Sequence, residues 1–242
     1  MKRLLPLVLV LFFLSGTAPA ITLDEIISNH LKAIGGKDSW KKIQSMKTSG
    51  KNLFGSFEFP FSQVVKRPGY SRLEVTIQGL TMVQAYDAKS QVGWMINPFQ
   101  GSKEPRKMNE EQVKGFKDGL VIENELAVYK EKGWKAEYIG TDDLEGVEVY
   151  QIMIMKPDGD ISYHFIDSET WLLLKTTSMV KFEDKEVESE TQYSDFRTVN
   201  GIVMPFIIES MSGGKMVSQV KIDNVEFDIP LEEEKFVFPE KK

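Results

Sequence analysis

Cysteine is absent from all 242 residues. No disulfide braces this fold, no thiolate holds zinc, and no thiol serves as a nucleophile or as the attachment point of an N-terminal lipid. Histidine is nearly as scarce, with only His30 and His164. Neither belongs to a His-x-x-x-His spacing, so a metal centre has no ligand set to draw on. Missing too are the Gly-x-Ser-x-Gly elbow, the P-loop and the Rossmann glycine fingerprint. Positive charge is not in excess: 30 Lys and Arg face 36 Asp and Glu, a net charge of −6. That balance disfavours nucleic acid as a partner and weakly opposes anionic lipid. Beyond Leu14, no apolar run approaches the ~20 residues that a membrane helix needs.

What is present begins with a leader pattern. Met1-Lys2-Arg3 is basic, Leu4 to Leu14 is almost wholly apolar, and Ser15 to Ala20 ends in Ala-Pro-Ala. This order reads as a secretory signal peptide over residues 1–20, cleaved after Ala20. Cleavage leaves 222 of the 242 residues, and removing two cations from a net −6 leaves −8. The apolar fraction is 41%, with 15 Phe and 11 Met, which suffices for a sizeable core. Flexible thioethers suit irregular apolar ligands as well as ordinary packing.

Thr22-Leu23-Asp24-Glu25 is a capping box, with Ile21 placed to staple Ile26. Leu23, Ile26, Ile27, Leu31 and Ile34 keep helical spacing until Gly35-Gly36. A second short helix is expected over residues 37–43, with Trp40 and Ile43 inward. From Met46 the period becomes that of strands, separated by Gly, Pro or Asp. Residues 100–132 interrupt it and carry helical candidates at 109–116 and 122–130. Strands then resume to residue 227, with hairpin turns at Asp158-Gly159, Asn200-Gly201 and Gly213-Gly214. The last strand changes phase, and a bulge near Asp223-Asn224 explains this. Several strands are apolar on both faces, as in Ile152-Met153-Ile154-Met155, so both faces need partial cover.

A series of short segments follows in order along the chain: Ile34-Gly35-Gly36, Lys66-Arg67-Pro68-Gly69-Tyr70, Asp87-Ala88-Lys89 and Trp94-Met95-Ile96-Asn97-Pro98-Phe99. Later come Asp167 to Leu172, Tyr193 to Arg197, Asn200 to Pro205 and Lys235-Phe236-Val237-Phe238-Pro239. This series resembles the periplasmic lipoprotein carrier family, LolA, and its broader relatives, the outer-membrane lipoprotein-sorting proteins. The resemblance implies an α+β fold over residues 21–242: a curved antiparallel open half-barrel with helices covering the concave face. It implies a monomeric periplasmic carrier, not an enzyme, that needs no cofactor. The carrier would hold lipoprotein acyl chains and move them from an inner-membrane releasing complex to an outer-membrane acceptor. The alternative is a lipid-binding or lipoprotein-sensing module of the same fold without carrier activity.

The resemblance also assigns Arg67 to a lid latch and Tyr70 to cargo reception. Trp94, Phe99 and Phe116 complete the expected ligand and lid set. From the residues alone, Arg67 equally reads as a strand end, and Tyr70, Trp94 and Phe99 as packing aromatics. The lid itself is expected in residues 100–132, whose apolar positions Val113, Phe116, Leu120, Val121, Leu126 and Val128 would cover the concave face and shield Trp94. For export, the intact mass of the secreted protein should correspond to a chain starting at Ile21. A mass that includes Met1 would refute cleavage.

Overall fold

The computed structural model describes residues 21–118, 122, 125–182 and 185–240. The expected signal peptide, residues 1–20, lies outside them, as do Leu120 and Val121 of the expected lid. Two helices open the described chain, α1 (Leu23–Ala33) and α2 (Lys37–Lys42). Strands β1 (Ser45–Phe54), β2 (Phe57–Lys66), β3 (Tyr70–Ile77), β4 (Leu80–Asp87), β5 (Val92–Asn97) and β6 (Ser102–Lys107) follow. Then come α3 (Glu110–Asp118) and α4 (Glu125–Val128), and strands β7 (Lys135–Leu144), β8 (Val147–Met155) and β9 (Ile161–Asp167). The last strands are β10 (Leu173–Phe182), β11 (Lys185–Val199), β12 (Ile202–Ser212) and β13 (Lys215–Phe227).

All thirteen strands join one open sheet in the order β6-β5-β4-β3-β2-β1-β13-β12-β11-β10-β9-β8-β7. Hairpin neighbours pair antiparallel, and β1 meets β13 at a central seam. There Ser49 pairs Asn224 while Gly50 pairs Ile222, so Asp223 is the bulged residue that the phase change required. Gly50 is needed at this point: a Cβ there would stand 2.0 Å from the Lys221 carbonyl oxygen.

Residues 102–107 depart from the expected interruption. They pair with β5 as the edge strand β6, and Pro105 fits an edge because it lacks a ladder donor. The strand expected from Trp171 instead starts at Leu173. Trp171 sits at φ 63°, in a turn whose Glu169 and Thr170 amides donate to the Asp167 carboxylate.

Strand alternation assigns the faces. Val65, Phe61, Val75, Met46, Ile222 and Phe206 share one face, and the helices pack there. Ile34, Trp40 and Ile43 cover the centre, α1 and α4 cover Ile152, Ile154 and Ile166, and α3 covers Tyr86 and Met95. Residues beyond β13 cross the opposite face, where Phe236 and Phe238 meet Tyr70 and Trp94. Two distant motifs touch: a Cβ on Gly35 would lie 2.3 Å from the Gly201 carbonyl oxygen, and Val203 donates to the Ile34 carbonyl.

The expected capping box is present, with Glu25 N–H donating to Thr22 Oγ1 and Thr22 N–H to Glu25 Oε2. Its helix buries His30, whose Nδ1 donates to the Trp171 carbonyl at 2.8 Å. Burial, offset in part by that bond, lowers the imidazole pKa to about 4. An unfolded chain takes up this proton near 6.5, so stability falls as pH drops from about 6.5 to about 4. The shift corresponds to ~3 kcal/mol over that window. Urea unfolding of the wild type should show this loss, and His30→Leu should flatten it. An unchanged pH slope in the variant would assign the loss elsewhere.

Candidate functional site

β6 and β7 are the two edges of the sheet, yet they are consecutive strands. The chain between them therefore crosses the helix-bearing face from one edge to the other. It is seated at three points. Phe116 of α3 packs on Tyr86, Met95 and Met108. Gly93 permits this approach, since a Cβ there would lie 2.6 Å from Val113 Cγ2. Ile122 joins the central cluster, and Leu126 and Tyr129 join Ile26, Ile27, Ile152 and Ile166.

Glu125, the first residue of α4, fixes the far seat. Its carboxylate accepts from Lys156 Nζ at 2.6 Å and Ser162 Oγ at 3.0 Å, and lies 3.1 Å from His164 Nε2. Burial pushes this carboxyl up, but the bonds to His164 and Lys156 outweigh it and hold its pKa at about 2. Ser162, His164 and Glu125 do not form a nucleophilic triad. Both partners sit on the same ring nitrogen, Nε2, and the buried Nδ1 has no hydrogen-bond partner among the described residues. A base oriented through its second nitrogen is thus lacking. The arrangement is a polar anchor for α4.

Exposed pairs add smaller ties. Lys130 meets Asp24 of α1 at 2.7 Å, and Glu131 meets Lys37 and Lys41 of α2. At such exposure, solvent screening leaves each of them little net worth.

Beyond the crossing segment the same face stays largely apolar, although Asn52 pairs with Phe59 and Val220 there. Phe59, Ile77, Met82, Ile208 and Val220 are partly buried against the central cluster. A cleft of about 400 Å³ lies at the β5–β6 edge beside α3. Val92, Met108 and Val113 line it together with Lys107, Glu110 and Lys114, so its walls are mixed in character.

The five expected site residues do not converge. Arg67 donates from Nε to the Ile43 carbonyl at 2.8 Å and from Nη2 to the Trp40 carbonyl at 3.2 Å. It thereby caps the C-terminal end of α2, where a cation meets free carbonyls. Phe116 is itself a seat of the crossing segment, while Phe99 is half-exposed in a short 3₁₀ turn. Tyr70 and Trp94 point to the opposite face. Trp94 Nε1 donates to the Phe236 carbonyl at 2.7 Å, and the Tyr70 hydroxyl donates to Glu233 at 3.2 Å. The expectation that the helices shield Trp94 is therefore corrected: the C-terminal residues shield it, because Met95 is its neighbour that faces the helices. Sequence reasoning missed Glu125 and Lys156. Its available signal was Ser162-Tyr163-His164, which puts two polar side chains on one face of a strand.

No family model and no curated protein matches the sequence. Solved structures do match. A DUF1329 family protein from Desulfovibrio piger aligns with 89% of this chain and 97% of its own, at 13% identity and a TM-score of 0.62. A putative outer membrane lipoprotein-sorting protein domain from Vibrio parahaemolyticus aligns with 88% and 94%, at 10% and 0.60. A LolA superfamily protein from Nitrosomonas europaea aligns with 90% and 98%, at 9% and 0.57. The chain has a LolA-like fold. At these identities the likeness speaks for the architecture, and the site must be argued from its own residues.

The Glu125 anchor has a definite pH signature. A carboxyl with a lowered pKa stabilises the fold above its unfolded value near 4.5 and loses that contribution as pH falls to about 2. Glu125→Ala should cost ~1–3 kcal/mol by stranding buried donors. It should also speed hydrogen exchange in residues 125–129 more than in β8 and β9. Uniform exchange across the two would show that the carboxylate does not anchor α4.

Proposed function

We propose that this chain is an extracytoplasmic binding protein for lipoprotein acyl chains or a similar lipid, and that it works as a carrier rather than as an enzyme. The observation that carries this reading is the extended, largely apolar layer on the helix-bearing face. It runs from the fully covered clusters to the partly buried Phe59, Ile77, Met82, Ile208 and Val220. Each buried methylene of an acyl chain contributes ~0.8 kcal/mol, so such a layer holds lipid without covalent chemistry. The LolA-like fold and the leader pattern support the same reading.

Access to the layer needs movement of the segment between β6 and β7, whose far end rests on Glu125. Arg67 would act as a latch through α2, by holding the carbonyls at that helix end. A releasing complex at the inner membrane and an acceptor at the outer membrane would supply and remove cargo. The second reading is a lipoprotein or lipid sensor, in which the same layer reports occupancy without transfer.

Native mass spectrometry of protein purified from its own periplasm should show a bound lipoprotein or lipid. Phe59→Asp and Val220→Asp should lower that occupancy by tenfold or more, about 1.4 kcal/mol. Loaded protein mixed with acceptor vesicles should lose its ligand if it is a carrier. Empty protein, together with variants indistinguishable from the wild type in acyl-chain binding, would sink the proposal.

A further inference from the structure

The exposed apolar side chains are not scattered evenly. Phe54, Phe57, Leu80, Phe99, Met216 and Val217 are all substantially exposed. They belong to the turns β1–β2, β3–β4, β5–β6 and β12–β13. In an antiparallel sheet, alternate hairpins turn at the same end. The strands concerned are consecutive in the sheet, from β6 through β1 and β13 to β12. These four turns therefore stand side by side along one rim. Phe57 is 66% exposed and Phe54 49%, beyond what packing within the chain requires.

Charge sets these four tips apart as well. The four tips read Phe54-Gly55-Ser56-Phe57, Ile77-Gln78-Gly79-Leu80, Pro98 to Lys103 and Ser212 to Val217. None holds an acidic residue, in a chain with 36 of them, and two hold a lysine, Lys103 and Lys215. Three of the five turns at the opposite end carry acids, at Asp87, Asp143 and Asp167, while the β2–β3 turn holds Arg67 and the β11–β12 turn Asn200-Gly201. Further along the rim's own end, the β8–β9 turn carries Asp158 and Asp160, which Lys114 binds. The apolar character thus ends where the acids begin.

We propose that this rim docks on the surface of a lipid bilayer, with Phe54, Phe57, Leu80 and Phe99 entering the headgroup–acyl boundary. Separate apolar points suit a deformable interface better than a rigid protein facet, which needs a continuous complementary surface. Acid-free tips with Lys103 and Lys215 complement lipid phosphates, whereas the rest of the acidic chain offers no long-range attraction. Docking is consequently driven by apolar insertion and responds little to salt. Phe54 and Phe57 pack on Phe59 at the edge of the apolar layer, with ring centroids 6.4 and 6.3 Å apart, but the inference does not rest on acyl cargo, since its test reads vesicle partitioning and not ligand occupancy.

The test uses the mature protein and zwitterionic phosphatidylcholine vesicles, with vesicle flotation at low and high salt. Wild-type protein should float at both. The double substitution Phe54→Ser with Phe57→Ser should weaken partitioning by roughly tenfold or more, because two large side chains no longer leave water. Ile139→Ser with Val147→Ser, outside these four tips, should leave it unchanged. Because the chain has no cysteine, Ser56→Cys and Lys89→Cys each place one environment-sensitive dye. The dye at position 56 should shift to the blue with vesicles, and the dye at 89 should not. Absence of flotation, equal flotation of the rim variant, or a position-56 shift that follows protein concentration without vesicles would overturn the proposal. The last result would make the rim a contact between two copies of the chain.

Discussion

One constraint organises the molecule: consecutive strands β6 and β7 occupy opposite edges of a thirteen-stranded sheet. The intervening chain has to traverse a whole face, and backbone that crosses an apolar surface must bring its own apolar contacts and satisfy its own polar groups. Phe116, Ile122, Leu126 and Tyr129 supply the former at spaced seats. Glu125 supplies a directional fix at the end of the path. With α1 and α2 packed on the same side, the face becomes a covered apolar layer. The functional reading depends on this cover more than on any single side chain.

The opposite face is covered by different means. Phe236 is fully buried there, Trp94 Nε1 donates to its carbonyl, and the Arg72 guanidinium stacks over the Trp94 ring at 5.4 Å. Arg72 also donates to the Lys235 carbonyl, so the C-terminal residues are pinned beside β3 and β5. The chain's end thus gives a second cover near β3 to β5. In β8, which was expected to need cover on both faces, the helices cover Ile152 and Ile154, while Met153 and Met155 on the other face stay partly exposed.

Local features were the legible ones. The capping box, the Gly35-Gly36 stop, the inward Trp40 and Ile43 and the bulge at Asp223 follow from short-range rules and recur in the structure. The open antiparallel sheet was legible from strand period together with the resemblance. Strand order was less so. Nothing in residues 102–107 distinguishes an edge strand from a charged loop, because an edge tolerates Pro and charge as a loop does. The site suffered most. Trp94 and Met95 are adjacent, and alternation sends them to opposite faces, so an assignment off by one residue exchanges lid contact for tail contact. Glu125 was illegible because its partners lie in β8 and β9, and only tertiary pairing unites them.

The two covers differ in what opening them demands. Lifting the C-terminal residues exposes Phe236 and Trp94 to water and breaks a buried bond, and the Lys66–Glu233 pair it also frees has a half-exposed carboxylate, so little desolvation cost is recovered to offset the apolar loss. Freeing α4 also exposes Leu126, but it returns the Glu125 carboxylate and the Lys156 ammonium to water, which recovers the desolvation cost of a partly buried ion pair. The Glu131 and Lys130 contacts nearby are already exposed and cost little to break. A charged anchor at the end of an apolar path therefore fixes position strongly while adding less to the free energy of opening than an apolar anchor of similar size. Segments that must move are drawn from such low-cost elements. On this reasoning the helical crossing, rather than the C-terminal cover, is the part of the fold built to give way.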